Sequence, residues 1–354
     1  MKIVVSKNLI ESILINMQPF LEKKDASQIT SHVYIEAKNG IATIKATDTE
    51  IGLIVKTENI IIEQEGAITA NGKKLLDIIR ILKNEEIILE LIGDNLNIKQ
   101  NKTKFRLPIF NPNSFPKYPQ IENKSKISLD SISLIRALRA VSSSIDTNNP
   151  KFELNGALLN IKKDKTQLVG TDTRRLSVAT IENISQNEIS IIIPKKAILE
   201  IQKLFMNEID IYYDQTNIII QNRNYYFFSR LINGNFPDYE RIIPKDIKHI
   251  VKLPKKEMIN AIKLIITISQ DIKIIFTKGS IIFNSLSADN VEAKTELLID
   301  TNLNNFELNV NSRYLLDFIS QIEKDEFEIL LNEPTLPFVL KDKKFITVIM
   351  PIIV

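Results

Sequence analysis

The motif Phe-Pro-x-Tyr occurs twice in this chain of 354 residues, at Phe115–Tyr118 and again at Phe236–Tyr239. The prolines Pro116 and Pro237 are 121 residues apart, which is a typical domain length. Proline restricts its own backbone and that of the preceding residue, so each motif favours an extended, rigid connector. A connector that recurs after one domain length predicts that the chain repeats a structural unit.

Four further features recur in the same order. Amphipathic segments with helical spacing lie at 5–14, 127–141 and 252–265, and a second set lies at 69–82, 192–205 and 309–322. Alternating strand patterns lie between them at 41–55, 166–180 and 281–297, and closing strands follow at 104–110, 226–232 and 344–352. We therefore predict an α+β fold of three tandem similar domains, 1–120, 121–245 and 246–354, each reading helix, strands, helix, strands. The two Phe-Pro-x-Tyr segments then connect successive domains.

Single residues refine this prediction. Each strand pattern contains an aspartate, which is Asp48, Asp172 or Asp289. The two Thr-Asp-Thr sequences at 47–49 and 171–173 resemble a carboxylate metal site, but aspartate in such a turn more often bonds nearby backbone N–H groups, and we favour that interpretation. A serine such as Ser6 is suited to cap the first helix, and Pro194 is suited to the first turn of a helix.

The residues of catalytic and cofactor sites are largely missing. The chain has no cysteine and two histidines, His32 and His249, which lie far apart without metal-ligand spacing, so we expect each to be hydrogen-bonded or solvated. Its nine glycines form neither a dinucleotide-binding motif nor a phosphate-binding loop. The sequence therefore predicts a binding protein that is not an enzyme and that carries no cofactor or metal.

Charge and hydropathy limit the possible partners. No signal peptide and no apolar run of membrane-spanning length occur, which predicts a cytoplasmic protein without a membrane partner. The formal net charge is only +3. Nucleic-acid binding therefore requires that the positive charge be concentrated on one face.

Several motifs resemble one known family. The segments GTDTRRLSVA (170–179), FELNGALLNI (152–161), NGNFPDYERIIP (233–244), NEPTLPFVLKD (332–342) and VIMPIIV (348–354) resemble the bacterial DNA polymerase III beta subunit, the sliding clamp. The resemblance covers the whole chain, and the motifs occur in the family's order.

The resemblance implies a DNA-clamp fold in which each domain packs two helices on a curved antiparallel sheet. Two chains would form a head-to-tail homodimeric ring that encircles duplex DNA without sequence specificity. The chain would be a non-catalytic processivity factor of DNA replication. Its protein partners would be the DNA polymerase III alpha subunit, the clamp loader, other polymerases and repair proteins, all bound through short linear motifs.

Basic residues of the helices that would line the ring are candidates for DNA contact, since phosphate contacts carry no sequence information. The resemblance adds positions near the start of the chain and before the Leu-Asn-Gly strand. The predicted DNA-binding residues are Lys23, Lys24, Lys73, Lys74, Arg136, Arg139, Asn148, Lys151, Phe152, Lys195, Lys196 and Lys203. The alternative for each lysine or arginine is an ordinary solvated helix face.

The resemblance also implies an apolar peptide-binding pocket at the joint of the second and third domains. Its predicted residues are Leu154, Thr171, Thr173, Arg174, Arg175, Leu176, Pro237, Arg241, Ile242, Pro337, Val339, Val348, Ile349, Met350, Pro351 and Ile352. Methionine and aliphatic side chains suit an adaptable pocket, and flanking arginines suit peptide carbonyls or acidic residues. The alternative is a plain inter-domain core with a C-terminal strand.

Dimer contacts would come from the first domain's second helix and edge strand and from the third domain. The predicted interface residues are Ile78, Leu82, Phe105, Leu107, Ile265, Ile266 and Ile268. The alternative is that these residues pack only within their own domains. Two other functions stay open at this point, a repeat-built scaffold for protein–protein interaction that does not encircle DNA, and a nucleic-acid-processing enzyme.

Overall fold

The computed structural model describes residues 1–185, 188–286 and 291–353. The predicted strand-end aspartate Asp289 lies outside the described residues. The other two recurring aspartates, Asp48 and Asp172, lie within the described residues.

The first repeat contains two helices and nine strands among the described residues. They are β1 (Lys2–Ser6), α1 (Lys7–Met17), β2 (His32–Lys38), β3 (Ile41–Thr47), β4 (Ile51–Thr57), β5 (Ile61–Gln64), β6 (Gly66–Asn71), α2 (Gly72–Ile81), β7 (Glu86–Ile92), β8 (Asn95–Gln100) and β9 (Thr103–Pro108).

The second and third repeats follow the same order with one strand fewer in the described part of each. The second has β10 (Ser125–Ile127), α3 (Ser131–Ser142), β11 (Gly156–Ile161), β12 (Lys165–Thr171), β13 (Arg175–Glu182), β14 (Ile189–Pro194), α4 (Lys195–Leu204), β15 (Asp210–Tyr213), β16 (Asn217–Gln221) and β17 (Tyr225–Arg230). The third has β18 (His249–Pro254), α5 (Lys255–Ile265), β19 (Asp271–Phe276), β20 (Ser280–Ser285), β21 (Lys294–Leu298), β22 (Phe306–Asn311), α6 (Ser312–Gln321), β23 (Glu326–Leu331), β24 (Phe338–Asp342) and β25 (Phe345–Ile349). A short strand precedes the first helix of each repeat, which the sequence did not predict.

Helix starts follow local capping chemistry. The Ser6 hydroxyl accepts a hydrogen bond from the Leu9 N–H at 3.4 Å, as predicted for the cap of α1. Asn71 caps α2 in the same way through the Lys74 N–H at 3.0 Å. The prediction for Pro194 was wrong by one position. It ends β14 opposite Gly156, because strand pairing continues up to the residue before α4.

Strand pairing crosses the boundaries of the repeats. The described strands form sheets of five, eight, eight and four strands. In one eight-stranded sheet β17 of the second repeat pairs antiparallel with β4 of the first, and in the other β25 of the third repeat pairs with β13 of the second. The last strand of one repeat is therefore hydrogen-bonded to an equivalent strand of the repeat before it.

This pairing explains how the chain divides. It forms two compact units, the first unit of Met1–Ser131 with Lys203–Leu231 and the second unit of Ile132–Gln202 with Ile232–Val354. The middle repeat contributes one of its sheets to each unit. Sequence periodicity identifies the repeats, whereas the compact units are defined by contacts within the shared sheets. The two compact units therefore do not test the three predicted domain boundaries, which remain a prediction.

Both Phe-Pro-x-Tyr segments contact strands of two successive repeats. In the first unit the Tyr118 hydroxyl donates to the Ala46 carbonyl at 2.6 Å, and its ring packs edge-on against Phe228 with ring centroids 5.0 Å apart. In the second unit the Tyr239 hydroxyl donates to Gln167 Oε1 at 3.0 Å, and its ring joins a buried cluster with Val348. Each motif thus fastens a connector to the sheet that joins two repeats.

His32 departs from the expectation of a hydrogen-bonded or solvated histidine. Its side chain is buried, its Nδ1 has no hydrogen-bond partner among the described residues, and its ring lies 4.3 Å from that of Phe110. Burial, followed by the nearby positive charge of Lys74, lowers the pKa of His32 from 6.5 to about 4. The imidazole is therefore neutral at physiological pH.

We expect this histidine to make the fold sensitive to acid. Its folded-state pKa lies below its unfolded value, so between pH 6.5 and about 4 the unfolded chain binds a proton that the folded chain excludes. Stability should therefore fall as the pH falls through this window, by about 2 kcal/mol at pH 5. A nuclear magnetic resonance titration of the two histidine rings, assigned with His32→Gln, should place the midpoint of His32 near 4. A midpoint near 6.5 would contradict the prediction.

Candidate functional site

The residues predicted for the peptide pocket all belong to the second unit. Strand register places Leu176 of β13 opposite Val348 of β25, and Val348 opposite Val339 of β24. These three aliphatic side chains are buried in one cluster with Tyr239. The apolar floor of the candidate pocket therefore combines strands from two repeats with the second Phe-Pro-x-Tyr segment.

Around this floor lies a more exposed rim. Met350 and Ile242 are 45% and 47% exposed, and the aliphatic side chain of Leu336 is 44% exposed. The other exposed rim positions are Thr173, Arg174, Pro237 and Arg241. Three predicted pocket residues are half-buried, namely Thr171, Pro337 and Ile352, and two are buried, namely Leu154 and Pro351. An apolar floor beside accessible methionine, aliphatic and arginine side chains suits an apolar peptide residue with polar flanks.

One predicted pocket residue belongs to a different environment. Ile349 is fully buried in the larger cluster that contains Phe318 and Phe338, whereas its neighbour Val348 joins the cluster of the pocket floor. Successive side chains of a strand point to opposite faces of the sheet, so Ile349 faces away from the floor. Ile349 therefore supports β25 by packing on the opposite face of the sheet.

The turn between β12 and β13 positions the rim. Asp172 Oδ1 accepts hydrogen bonds from the N–H groups of Arg174 and Arg175, both at 3.0 Å. Thr171 Oγ1 accepts from the Thr173 N–H at 3.1 Å and donates to the Arg175 carbonyl at 2.7 Å. Asp48 bonds the N–H groups of Glu50 and Ile51 at 3.0 and 2.9 Å in the first repeat. The interpretation of both aspartates as turn-forming residues is confirmed.

Thr173 within this turn has a positive φ of 72°. That region is unfavourable for a β-branched residue, and Thr49 in the equivalent turn of the first repeat also has a positive φ of 76°, so this conformation belongs to the turn itself. Adjacent to it, the Met350 N–H donates to the Arg174 carbonyl at 2.9 Å. The turn and the segment after β25 are therefore fixed to each other at the edge of the candidate pocket.

Arg175 and Arg174 have different environments. Arg175 is 5% exposed, and its guanidinium forms ion pairs with Asp172 at 3.0 Å and with Asp317 of α6 at 2.7 Å. It also donates to the Ser143 carbonyl at 2.5 Å and lies 4.4 Å from the ring centre of Tyr314. With all these partners inside the protein, Arg175 positions the turn. The exposed Arg174 is the arginine that is accessible to a peptide.

The sequence did not identify the α6 residues that hold Arg175. Asp317 follows Arg175 by 142 positions, and nothing in its local pattern marks it. Tyr239, which belongs to the floor of the pocket, was also not predicted as a pocket residue from the sequence. Its place in a repeated motif was the available signal.

The first Phe-Pro-x-Tyr joint has an apolar cluster that is mainly aromatic, with Tyr118 and Phe228 buried beside Ile219. Gly52 and Leu176 are equivalent residues, because each lies four positions after the recurring aspartate of its repeat. Their strand partners are Phe228 and Val348, which are therefore equivalent as well. A Cβ on Gly52 would lie 2.3 Å from the Phe228 ring and 3.0 Å from the Tyr118 ring. The rings of Phe228 and Tyr118 thus occupy the space beside Gly52 that a side chain at this position would need.

In the first unit, the predicted DNA-binding residues are accessible. All five of these lysines are exposed. Lys23 and Lys24 follow α1, Lys73 and Lys74 lie in the first turn of α2, and Lys203 lies near the end of α4. Leu75, Leu76 and Ile79 of α2 are buried instead. The basic residues therefore occupy the face of α2 that does not pack against the sheet.

Among the predicted DNA-binding residues of the second unit, Lys195 and Arg136 already have partners within the protein. Lys195 is half-buried, its Nζ donates to the Ile145 carbonyl at 2.5 Å, and burial lowers its pKa. Arg136 is exposed and pairs with Glu323 at 3.1 Å. The other positions are exposed, namely Arg139, Asn148, Lys151, Phe152 and Lys196. Phe152 is 64% exposed, which is unusual for an aromatic side chain.

The predicted dimer residues divide into two groups. Ile265 and Leu107 are buried within their own units, with exposures of 1% and 8%. Ile78, Leu82, Phe105 and Ile266 are half-buried, and Ile268 is 39% exposed. Three more aliphatic side chains, which the sequence did not indicate as interface residues, are exposed: Ile81, Leu264 and Leu298, at 72%, 62% and 81%. Exposed apolar residues of this size indicate contact surfaces when they cluster.

Two structural features are absent from the described part of the chain. None of its helices is long and apolar enough to cross a membrane. No group of three or more histidine and acidic side chains within it is arranged to hold a metal ion.

Comparison with known proteins gives one family along the chain. Models of the DNA polymerase III beta subunit match in order, the N-terminal domain at residues 1–119, the central domain at 128–238 and the C-terminal domain at 240–353. The beta sliding clamp of Helicobacter pylori strain J99 is 39% identical over 352 residues, covering 97% of this chain and 94% of the relative. A crystal structure of the Helicobacter pylori beta clamp bound to a DNA ligase peptide is 38% identical, covers 100% of both chains and superimposes with a TM-score of 0.95.

Proposed function

Since this chain belongs to the DNA polymerase III beta subunit family and is a sliding clamp, we propose that two copies close head to tail around duplex DNA. The ring slides without reading bases and tethers the replicative polymerase and other partners through the pocket of the second unit. It acts in the bacterial cytoplasm as a non-catalytic processivity factor. Its three domains are 1–120, 121–245 and 246–354.

The observation that carries this proposal is a pairing rule inside the chain. The last strand of the second repeat, β17, pairs with β4 of the first, and the last strand of the third, β25, pairs with β13 of the second. The strand of the third repeat that corresponds to β4 and β13 is β21, and it lies at the edge of its sheet. The last strand of the first repeat is β9, which is also an edge strand. Pairing of β21 of one copy with β9 of the next copy would follow the same rule.

The side chains of the two edges are complementary. β9 presents Lys104 and Arg106 as exposed residues, and β21 presents Glu296 and Leu298. Phe105 of β9 is half-buried, as is Leu297 of β21, which packs against the core of the second unit. Antiparallel pairing would place Phe105 and Leu297 on one face and would bring Glu296 near Lys104 and Arg106 on the other face, which also carries Lys294 and Leu298. It would also remove two exposed strand edges, which otherwise favour aggregation.

The charges support a sliding contact with DNA. The exposed basic residues predicted for DNA contact lie on solvent-facing helix surfaces, including Lys73 and Lys74 of α2 and Arg139 of α3. Such side chains attract phosphate through interactions that salt weakens and that carry no sequence information. A net charge of +3 is small enough to leave the protein free to move along the duplex.

The pocket supports binding of short linear motifs. Its apolar floor and its rim of Met350 and Ile242 offer contacts for aliphatic or aromatic anchors. The Helicobacter pylori clamp binds a DNA ligase peptide. We propose that the pocket here binds peptides of repair proteins, of the DNA polymerase III alpha subunit, of other polymerases and of the clamp loader.

Retention on circular DNA tests the function. Chains loaded by a clamp loader onto a nicked circular plasmid should stay bound through gel filtration in high salt, because a closed ring is linked topologically. Cutting the plasmid once should release them, because a sliding ring leaves through a free end. Release from both forms would overturn the proposal. Averaged electron micrographs should show a six-lobed ring, whereas three-lobed arcs at all concentrations would favour the scaffold that does not encircle DNA.

A further inference from the structure

A groove at the first Phe-Pro-x-Tyr joint has no part in the proposed clamp function. It has a volume of about 670 Å³ and lies between the connector after β9 and the outward face of β2, β3 and β4. Volumes of roughly 300–1,000 Å³ are typical of ligand sites. Its lining includes Tyr34, Glu36, Lys45, Phe115 and Lys117.

Comparison of the two repeats explains why the groove is open. Lys45 and Val169 both lie three positions before the recurring aspartate, and their strand partners are Tyr34 and Leu158. In the second unit, Leu158 and Val169 are buried beneath Tyr239 in an apolar cluster. In the first unit, Tyr34 and Lys45 give the same face an aromatic ring and a positive charge. The connector therefore packs on this face through Tyr118 and Phe115, in a cluster with Phe228 and Ile54, and the groove lies beside that cluster, where Tyr34 and Lys45 line the sheet.

The fastening of the two connectors differs as well. In the second unit the Tyr239 hydroxyl bonds Gln167 and Asn160 at 3.0 and 3.2 Å, and Glu240 pairs with Lys162 at 2.8 Å. These contacts tie the connector to the sheet face. In the first unit the Tyr118 hydroxyl reaches backbone carbonyls instead, and Pro119 occupies the position of Glu240. Among the described residues, no equivalent ion pair crosses the groove.

Unpaired positive charge surrounds the groove. Lys45, Lys56 and Lys117 all line it, and none of them forms an ion pair with a described residue. Two other strand lysines of the first unit, Lys2 and Lys99, do have acidic partners, which are Glu63 and Glu90. A second cavity of about 350 Å³ shares Lys56 and adds Arg223, so the positive lining continues. The acidic residues of the two cavities are Glu36 and Glu58.

The aromatic floor distinguishes between possible ligands. Lys45 Nζ lies 4.7 Å from the centre of the Tyr34 ring, and the Phe115 ring lies 5.4 Å from it. Tyr34 is therefore already covered, which leaves little ring surface for stacking a nucleic-acid base. Ile54 and the aromatic edges still offer apolar contact, and the lysines offer charge-assisted hydrogen bonds to carboxylates.

We propose that this groove binds an acidic peptide segment of a partner protein, in which at least two carboxylates flank an aliphatic or aromatic residue. The lysines contact the carboxylates, and the apolar residue rests against Phe115 and Ile54. The groove lies wholly within the first unit, so the proposal goes beyond the clamp function and does not depend on ring closure or on the pocket of the second unit.

Selection from a random dodecapeptide phage library tests this site on the full chain. The pocket of the second unit is first occupied with an excess of the DNA ligase peptide. Enriched peptides should carry two or more acidic residues beside a leucine or an aromatic residue. Their affinity for Lys56→Ala/Lys117→Ala should be about tenfold lower, because two charge-assisted contacts are lost. Both substituted side chains are exposed, so the variant should keep the thermal midpoint of the wild type.

The matched control is Lys38→Ala/Lys102→Ala, which removes the same charge from two exposed lysines outside the groove lining. It should bind the peptides like the wild type. Absence of enrichment, or equal affinity for both double variants, would overturn the proposal. A labelled 12-nucleotide oligothymidylate that binds the wild type and loses affinity only in Lys56→Ala/Lys117→Ala would assign the groove to nucleic acid and also overturn it.

Discussion

Arg175→Ala should destabilise the second unit by about 3 kcal/mol and weaken peptide binding at its pocket at least tenfold. The substitution leaves the carboxylates of Asp172 and Asp317 without their shared partner and the Ser143 carbonyl without its donor. Removal of one member of a buried ion network leaves uncompensated charge, which is more harmful than the absence of the whole network. The turn that carries Thr173 and Arg174 should then lose its fixed position beside the pocket.

Urea denaturation would measure the stability, and fluorescence anisotropy of a labelled DNA ligase peptide would measure the binding. Arg174→Ala is the matched control, because it removes an exposed arginine from the adjacent position. It should change stability by less than about 0.5 kcal/mol and act on binding alone. Arg175→Lys should fall between the wild type and alanine, since an ammonium group cannot reproduce three directed contacts. Equal stability of the alanine variants at 174 and 175 would show that the network has no positioning role.

Single prolines on the two free sheet edges should convert the dimer into monomers. The Ile109 N–H bonds the Asp94 carbonyl towards β8, so alternation directs the Arg106 N–H to the free edge of β9. The Ile299 N–H likewise bonds the Gly279 carbonyl, on the side of β20. Alternation along the strand therefore directs the Glu296 N–H to the free edge of β21. Arg106→Pro and Glu296→Pro therefore remove a donor that only a second copy would use.

Each proline variant alone should dimerise on the order of 100-fold more weakly than the wild type. An equimolar mixture of the two should regain a dimer, because the intact β21 of Arg106→Pro can pair with the intact β9 of Glu296→Pro. Sedimentation equilibrium would distinguish the 40.5 kDa chain from its dimer. Arg106→Ala and Glu296→Ala keep the N–H groups and serve as controls, with a smaller loss from the side-chain charges. Dimers of each proline variant alone would place the joint elsewhere, and monomers in the mixture would exclude head-to-tail pairing.

Local chemistry was readable from the sequence because it depends on neighbours in the chain. The cap formed by Ser6 needs only the next three residues, and the turns at Asp48 and Asp172 need only the residues that follow each aspartate. The order of helices and strands recurs for the same reason, since apolar spacing specifies each element separately. The repeated Phe-Pro-x-Tyr motif located both connectors before any contact was known.

Tertiary structure decided everything that depends on distant partners. The pairing of β4 with β17 and of β13 with β25 divides three sequence repeats into two compact units. Burial leaves His32 neutral and Lys195 engaged with a carbonyl, although both look like ordinary polar residues in the sequence. Arg174 and Arg175 are chemically identical neighbours, and the contacts of Arg175 with Asp317 of α6 and with the Ser143 carbonyl make it a support, whereas Arg174 stays accessible. Sequence patterns specify faces and turns, whereas the energy of a buried charge depends on which distant groups surround it.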